Sequence, residues 1–488
     1  MPRVLIDTTT GRLVDRTQQA EAFEALPIFN ELVSSMTREV DHVWIRREVK
    51  EFYRYVMLSH KWEHGEPLFR KVEHVTVYKL EASRANIKLQ TFCSLVHSVG
   101  FRWAWSDTCC IDKENNVELQ ESLIAMFAWY RGSSLTLVYL YDVSSLSEEP
   151  DGLKRSVWNT RAWTYQEYVA SERLQFYTED WKPYLGLTSS NHKESAIILR
   201  EMGVPQVSAA QVAFLRPGLD GVREKLYLAS TRETTRVEDI AYSLLGIFNA
   251  SIPVIYGEGT RAVGRLLEYV LTGSGDAAIL AWKGTANEYN SCLPADLAVY
   301  NPLVPPHIPH METTELDLLV TTLRSSLPDV SLATTLYDRL YGLPSAIIAS
   351  SRLRLPCIVF RLKELVHSSW PVVETDFHVY HAATTILGDI EITTSGDLNV
   401  ENEHCLVHPW IRPLLDQEYS RGMTGLDKTT HALRLVARLK QRFGALLFEK
   451  VSRVEYKRVA ADSLIMVQIR DEVSLTDLID NIDTIEVQ

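Results

Sequence analysis

Trp158, Arg161, Trp163, Gln166 and Glu167 fall within a dozen positions of one stretch, SVWNTRAWTYQEYVAS, residues 156–171. Grouped on one rim, such residues could form the lip of a site. The carboxylate would hold positive charge or hydroxyls, the guanidinium an anion, and an indole a flat ring. A plainer reading is also open. Thr164 and Glu167 have the spacing of a capping box, in which the glutamate only closes its own helix start. Tryptophan is mostly buried, so Trp158 and Trp163 also suit core packing.

The neighbouring elements decide where that stretch lies. YRYVMLS (53–59) reads as a short apolar strand with a polar exit at Ser59, His60 and Lys61. Between residues 84 and 99, Leu89, Phe92, Cys93 and Val96 fall at helical spacing, and Gly100 follows as a stop. FRWAWSD (101–107) reads as a second strand leaving at Asp107. ELQESLIAMFAWYRG (118–132) is an amphipathic helix, and LTLVYLYDV (135–143) an apolar strand covered on both faces. A helix over about 161–170 and a strand, RLQFYT (173–178), complete the pattern. Alternating strands and helices imply a parallel sheet with flanking helices. Ligands of such sheets bind beyond the carboxyl ends of the strands. Here those ends carry Ser59, His60, Lys61, Trp62, Asp107, Thr108 and Asp142, so the Glu167 helix is expected to start near a polar rim.

Residues 186–290 are mainly helical in pattern, with VEDIAYSLLGIF (237–248) and RAVGRLLEYVLTG (261–273) expected as helices. The proline-rich NPLVPPHIPH (301–310) reads as a linker or irregular loop. RLRLPCIVFRL, VYHAATTI, DIEITT and SLIMVQIRDEV are strand-like, so residues 291–488 are expected to form a β-rich C-terminal domain.

With 488 residues, 46% hydrophobic and 23% charged, the chain has an ordinary globular composition and room for two or three domains. Its formal charge of −13 argues against phosphate-backbone binding as the main activity, so no nucleic-acid partner is expected. The six cysteines are sparse and sit mostly in apolar runs, which fits reduced, buried thiols in a cytoplasmic protein. No signal peptide or membrane span is evident. Cys109-Cys110, with His60 or His97 as a base, is a thin case for a thiol nucleophile. His404-Cys405-x-x-His408 lacks a second cysteine pair, so no metal is expected. The glycine pairs at 256–259 and 273–275 lack the lysine of a phosphate loop and read as turns.

Five blocks in order, YVMLSHKWEHGEPL, FRWAWSDTCCIDKENNVELQESLIAMFAWYRGSSLTLVYLYDV, WNTRAWTYQEYVAS, EDIAYSLLGIFNASIPVIYGEG and SCLPADLAVY, resemble the fungal heterokaryon incompatibility (HET) domain proteins over roughly residues 50–300. DTCCIDK and EDIAYSLLGIF resemble the form abundant in basidiomycetes, and Ala162 stands where the family usually has glycine. The resemblance implies an effector of programmed cell death, a fungal form of innate immunity. It also implies a distant likeness to Toll/interleukin-1 receptor (TIR) domains, several of which hydrolyse NAD. On that likeness YRYVMLSHKW is similar to the first TIR strand and loop. SVWNTRAWTYQEYV is similar to the helix carrying the TIR catalytic glutamate, without the cysteine after Trp158 and with a longer spacing to Glu167. The implied fold is a TIR/flavodoxin-like α/β core at 50–185, after an N-terminal extension at 1–49 and before a helical extension at 186–290.

NAD cleavage would suit these residues. Breaking the nicotinamide–ribose bond develops oxocarbenium-like charge, which a carboxylate against the ribose stabilises. Glu167 is the candidate. Trp62 or Trp163 would offer an aromatic face, Lys61 or Arg161 would hold the pyrophosphate, and Ser59 and Asp107 would bind hydroxyls. NAD is then a substrate and no cofactor is needed. The alternative is a non-catalytic module of the same fold, acting by self-association or through another incompatibility or receptor protein.

Overall fold

Tyr55–His60 is buried at all six positions, as a strand covered on both faces must be. It lies at the centre of the first sheet of the computed structural model. The structure describes residues 1–35, 40–145, 151–203, 207, 209–213, 215–301, 313–326, 330–367, 378–394, 397–410, 427–459, 461 and 463–488. These fall into two units: residues 1–218 with 232–254, and residues 219–231 with 255–488.

The first unit opens with a hairpin, β1 (Leu5–Asp7) and β2 (Arg12–Val14), then helices α1 (Arg16–Glu24), α2 (Pro27–Ser35) and α3 (His42–Phe52). Next come β3 (Tyr55–His60), α4 (Phe69–His74), α5 (Arg84–Ser98), β4 (Trp103–Trp105), α6 (Asn116–Gly132) and β5 (Leu135–Tyr139). Two single turns, α7 (Gly152–Arg155) and α8 (Val157–Thr160), lead into α9 (Ala162–Ala170) and β6 (Leu174–Tyr177).

The strands run in the order β2-β1-β4-β3-β5-β6. The four from β3 to β6 are mutually parallel, as the alternating pattern predicts. Residues 1–49, expected as an N-terminal extension, include two antiparallel strands that add to the β4 edge. Gly11 turns that hairpin at φ +71, where a Cβ would meet Tyr78 Cδ2 at 2.8 Å.

Local chemistry fixes the helices. Ser83 caps α5 by accepting from the Asn86 amide, and Leu89, Phe92, Cys93 and Val96 form its buried stripe. Asn115 caps α6 in the same way, and Glu118 adds an acid to its first turn. The expected helix at 237–248 is broken into Asp239–Tyr242 and Leu245–Phe248. Gly246 lies against the Phe127 ring of α6 so closely that any Cβ there would overlap it.

The second unit carries the amphipathic helix Arg261–Ser274, which runs past Gly273, the stop expected from its pattern, and is closed instead by Gly275 at φ 64. Its β-rich part contains a three-stranded sheet made of Glu364–His367, His378–Ala383 and Ile390–Thr394. A larger, mostly antiparallel sheet is built around Arg352–Arg361, His404–Pro409 and Phe443–Lys450. Helices Val330–Tyr341 and Lys428–Leu439 pack together in this unit, so the region is β-rich but not purely β. Of the proline stretch expected as a linker at 301–310, residues 302–310 lie outside the described residues.

Candidate functional site

The carboxyl end of β3 delivers Ser59 and His60 into the interior. The chain before α9 breaks twice, at Ser156 and at Arg161, both extended. These breaks turn Trp158 inward ahead of the helix. Trp158 Nε1 then donates to Ser59 Oγ at 2.8 Å, and Ser59 Oγ donates to the Glu167 carboxylate. Tyr130, on α6, donates to Leu58 O at 3.0 Å, and its hydroxyl also lies beside Glu167.

Glu167 therefore does not cap its own helix. The N-cap residue is Arg161, with no side-chain cap bond, and Thr164 Oγ1 instead donates back to the carbonyls of Trp158 and Arg161 at 2.6 and 2.8 Å. Glu167 is only 6% exposed. Burial pushes its carboxyl up to about 8, the Ser59 bond pulls it partly back, and the Asp107 charge adds to the rise. At neutral pH the group is mostly protonated and uncharged.

Beside it sits a second group of polar side chains. Trp62 Nε1 donates to Asp107 Oδ2 at 2.6 Å, and Lys113 Nζ lies 3.2 Å from the centre of the Trp62 ring. His60 Nδ1 is 4.0 Å from Asp107 Oδ1, and its Nε2 is 3.6 Å from Glu66 Oε1. Burial holds the imidazole well below its usual value, so it is neutral. Lys88, on α5, pairs with Glu66 and, at 3.4 Å, with Glu63. Burial raises the Asp107 carboxyl, against the pull of Lys113, the Trp62 bond and Arg161.

The residues expected from sequence thus divide. Ser59 and Glu167 are bonded to each other, and Trp62 and Asp107 are bonded to each other. Arg161 acts electrostatically on Glu167, Asp107 and His60. Lys61 points to the Tyr141 hydroxyl at 3.4 Å. Trp163 is half-buried, and the indole that reaches Ser59 is Trp158. Asp142 anchors the segment by accepting from Ser156 Oγ and the Val157 amide, both at 2.7 Å.

Sequence reasoning passed over the residues that hold α9 in place. Arg232 donates to Arg161 O, Thr164 Oγ1 and Asn159 Oδ1 at 2.9, 3.2 and 2.9 Å. Lys193 closes the other end of α9, donating to the carbonyls of Tyr168, Val169 and Ser171. It also assigned no role to Lys113 or to the Lys88–Glu66 pair. The only signal was the density of charge in HKWEHGE and DTCCIDK.

The competing constellations gain no support. The Cys109 thiol is buried and held well above its usual value by its bond to Cys110 and by burial, the reverse of an activated nucleophile. His404 and His408 share one face of their strand while Cys405 points to the other. Among the described residues no group of three or more histidine, cysteine, aspartate or glutamate side chains is arranged to hold a metal. Nor is any helix among them long and apolar enough to cross a membrane.

Residues 55–153 match the family model described as heterokaryon incompatibility protein (HET). The vegetative incompatibility protein HET-E-1 of Podospora anserina is 36% identical over 232 residues, covering 44% of this chain. The chain spans only 16% of the length of that relative. No solved structure matches.

Proposed function

We infer that this chain, which carries a HET domain at residues 55–153, acts in heterokaryon incompatibility as a cytoplasmic effector of programmed cell death. We propose further that it does so by hydrolysing NAD in a TIR-like cleft, with Glu167 as the charge-stabilising carboxylate. The observation that carries this reading is the Glu167–Ser59 bond at the exit of β3. Taken in chain order, the parallel strands lie second, first, third, fourth across the sheet. This order supports a flavodoxin-like reading of the core, in which ligands would sit by the carboxyl ends of the first and third strands. Ser59 and His60 occupy the end of the first strand.

In the reaction the C1′–N bond breaks and its electron pair leaves with neutral nicotinamide. A water oxygen bonds C1′, and its proton passes to solvent. Ionised Glu167 would stabilise the oxocarbenium-like charge, in a site whose low dielectric magnifies the effect. Asp107 and Ser59 would hold hydroxyls, Trp62 or Trp163 would offer a ring face, and Lys61 or Arg161 would take the pyrophosphate. The test is nicotinamide release from NAD by the purified chain under conditions that allow self-association. Turnover that persists unchanged in Glu167→Gln removes the role assigned to that residue.

A second reading has its own support. Ser59 is 0% exposed, and Glu167 is buried and uncharged, which suits an internal strut between β3 and α9. The domain would then act by assembly with a second copy or with another incompatibility or receptor protein. On that reading Glu167→Gln, which keeps the shape and a neutral acceptor, retains toxicity in fungal cells. Loss of toxicity in a folded variant speaks for catalysis.

A further inference from the structure

Among the described residues, several buried polar atoms that lack a hydrogen-bond partner fall in the Trp62–Asp107 group. Both ring nitrogens of His60, Asp107 Oδ1 and Lys113 Nζ are buried and have no hydrogen-bond partner. His60 is 5% exposed. Buried polar groups are nearly always satisfied, so several orphans in one place call for something that satisfies them. The four atoms belong to one cluster. Asp107 is bonded to Trp62, Lys113 lies over the Trp62 ring, and His60 faces Asp107. Trp62 itself is 39% exposed, so the cluster reaches solvent. The nearby Lys88 is already engaged by Glu66 and Glu63, whereas the Lys113 head, over the Trp62 ring, makes no hydrogen bond among the described residues.

The chemistry of the orphans selects their ligand. Asp107 Oδ1 only accepts, Lys113 only donates, and a neutral imidazole offers one of each. An anion would satisfy Lys113 but oppose Asp107. A pair of adjacent hydroxyls matches both, because each hydroxyl donates and accepts. We propose that Lys113 and His60, together with Asp107, form a subsite for the vicinal hydroxyls of a ribose. This rests on the NAD reading and deepens it: the subsite holds the nicotinamide ribose with its anomeric carbon turned toward Glu167.

The test is binding, not turnover, so it is decided separately from hydrolysis. Dissociation constants are measured by calorimetry on the full chain carrying Glu167→Gln, for NAD and for the analogue whose nicotinamide ribose lacks the 2′-hydroxyl. The subsite predicts a preference for NAD of about tenfold or more, because the analogue leaves buried groups unpaired. Adding Lys113→Met brings the ratio close to one while the affinity for the deoxy analogue is unchanged. Lys113→Gln replaces Lys113→Met if circular dichroism shows the latter unfolded. Equal binding of the two ligands before Lys113 is changed, an unaltered ratio afterwards, or no saturable binding overturns the subsite. Nicotinamide release by the unsubstituted chain judges the NAD reading on its own.

Discussion

Replacing Glu167 with glutamine should remove most of one pH dependence of stability. Folding raises the carboxyl from 4.5 to about 8, chiefly by burial. The folded state therefore holds a proton that the unfolded chain has lost throughout that interval. Stability from the neutral carboxyl is complete below about pH 4.5 and falls as pH rises, with the loss ending above about 8. The interval is about 3.5 pH units, and at about 1.4 kcal/mol per unit the loss is about 5 kcal/mol. Glutamine cannot ionise but keeps an acceptor for Ser59 Oγ. The assay is urea unfolding of the full chain and of Glu167→Gln across this range, following the transition that reports the first unit. The difference between the two curves cancels every titration they share. It should favour the wild type, or be near zero, at low pH, and move toward the variant by several kcal/mol as pH approaches 8. Parallel curves would refute the burial of this carboxyl as described.

Other outcomes follow from the same structure. Ser59→Ala deprives the Trp158 indole of its acceptor and Glu167 of its donor, and should cost about 2–4 kcal/mol in urea unfolding. Gly246→Ala drives a methyl into the Phe127 ring and should cost about 1–3 kcal/mol, with Phe127→Leu restoring part of the loss in the double variant. The Cys109 thiol, buried and held high by Cys110, should resist iodoacetamide at pH 8 in the folded chain and react once urea unfolds it; mass spectrometry of the modified peptide reads this directly.

The parts of the fold that the sequence made legible are those whose local pattern and packing agree. The strands β3 to β6 and the helices α5 and α6 announce themselves by apolar runs, stripes and caps. The β1–β2 hairpin does not, because β2 is half-exposed and carries no apolar run to mark it as a strand. The site divides in the same way. Strand exits located Ser59, Trp62 and Asp107, since chain direction alone places them. Thr164 and Glu167 satisfy the capping spacing equally well, and only the long-range partner Ser59 separates the two readings. Trp158 and Trp163 differ by a chain break that no periodicity encodes. Lys113 reaches Trp62 through a long side chain from a turn, so spacing gave no clue to it. Arg232 acts on Arg161 across 71 positions.

The proposed chemistry needs Glu167 ionised, so nicotinamide release from NAD measured against pH tests it most directly. Release should rise with an inflection near 8, level off above it, and be lost in Glu167→Gln at every pH at which that variant stays folded. A rate that is flat through this range, or equal in the two proteins, contradicts the assignment of the reaction to this carboxylate.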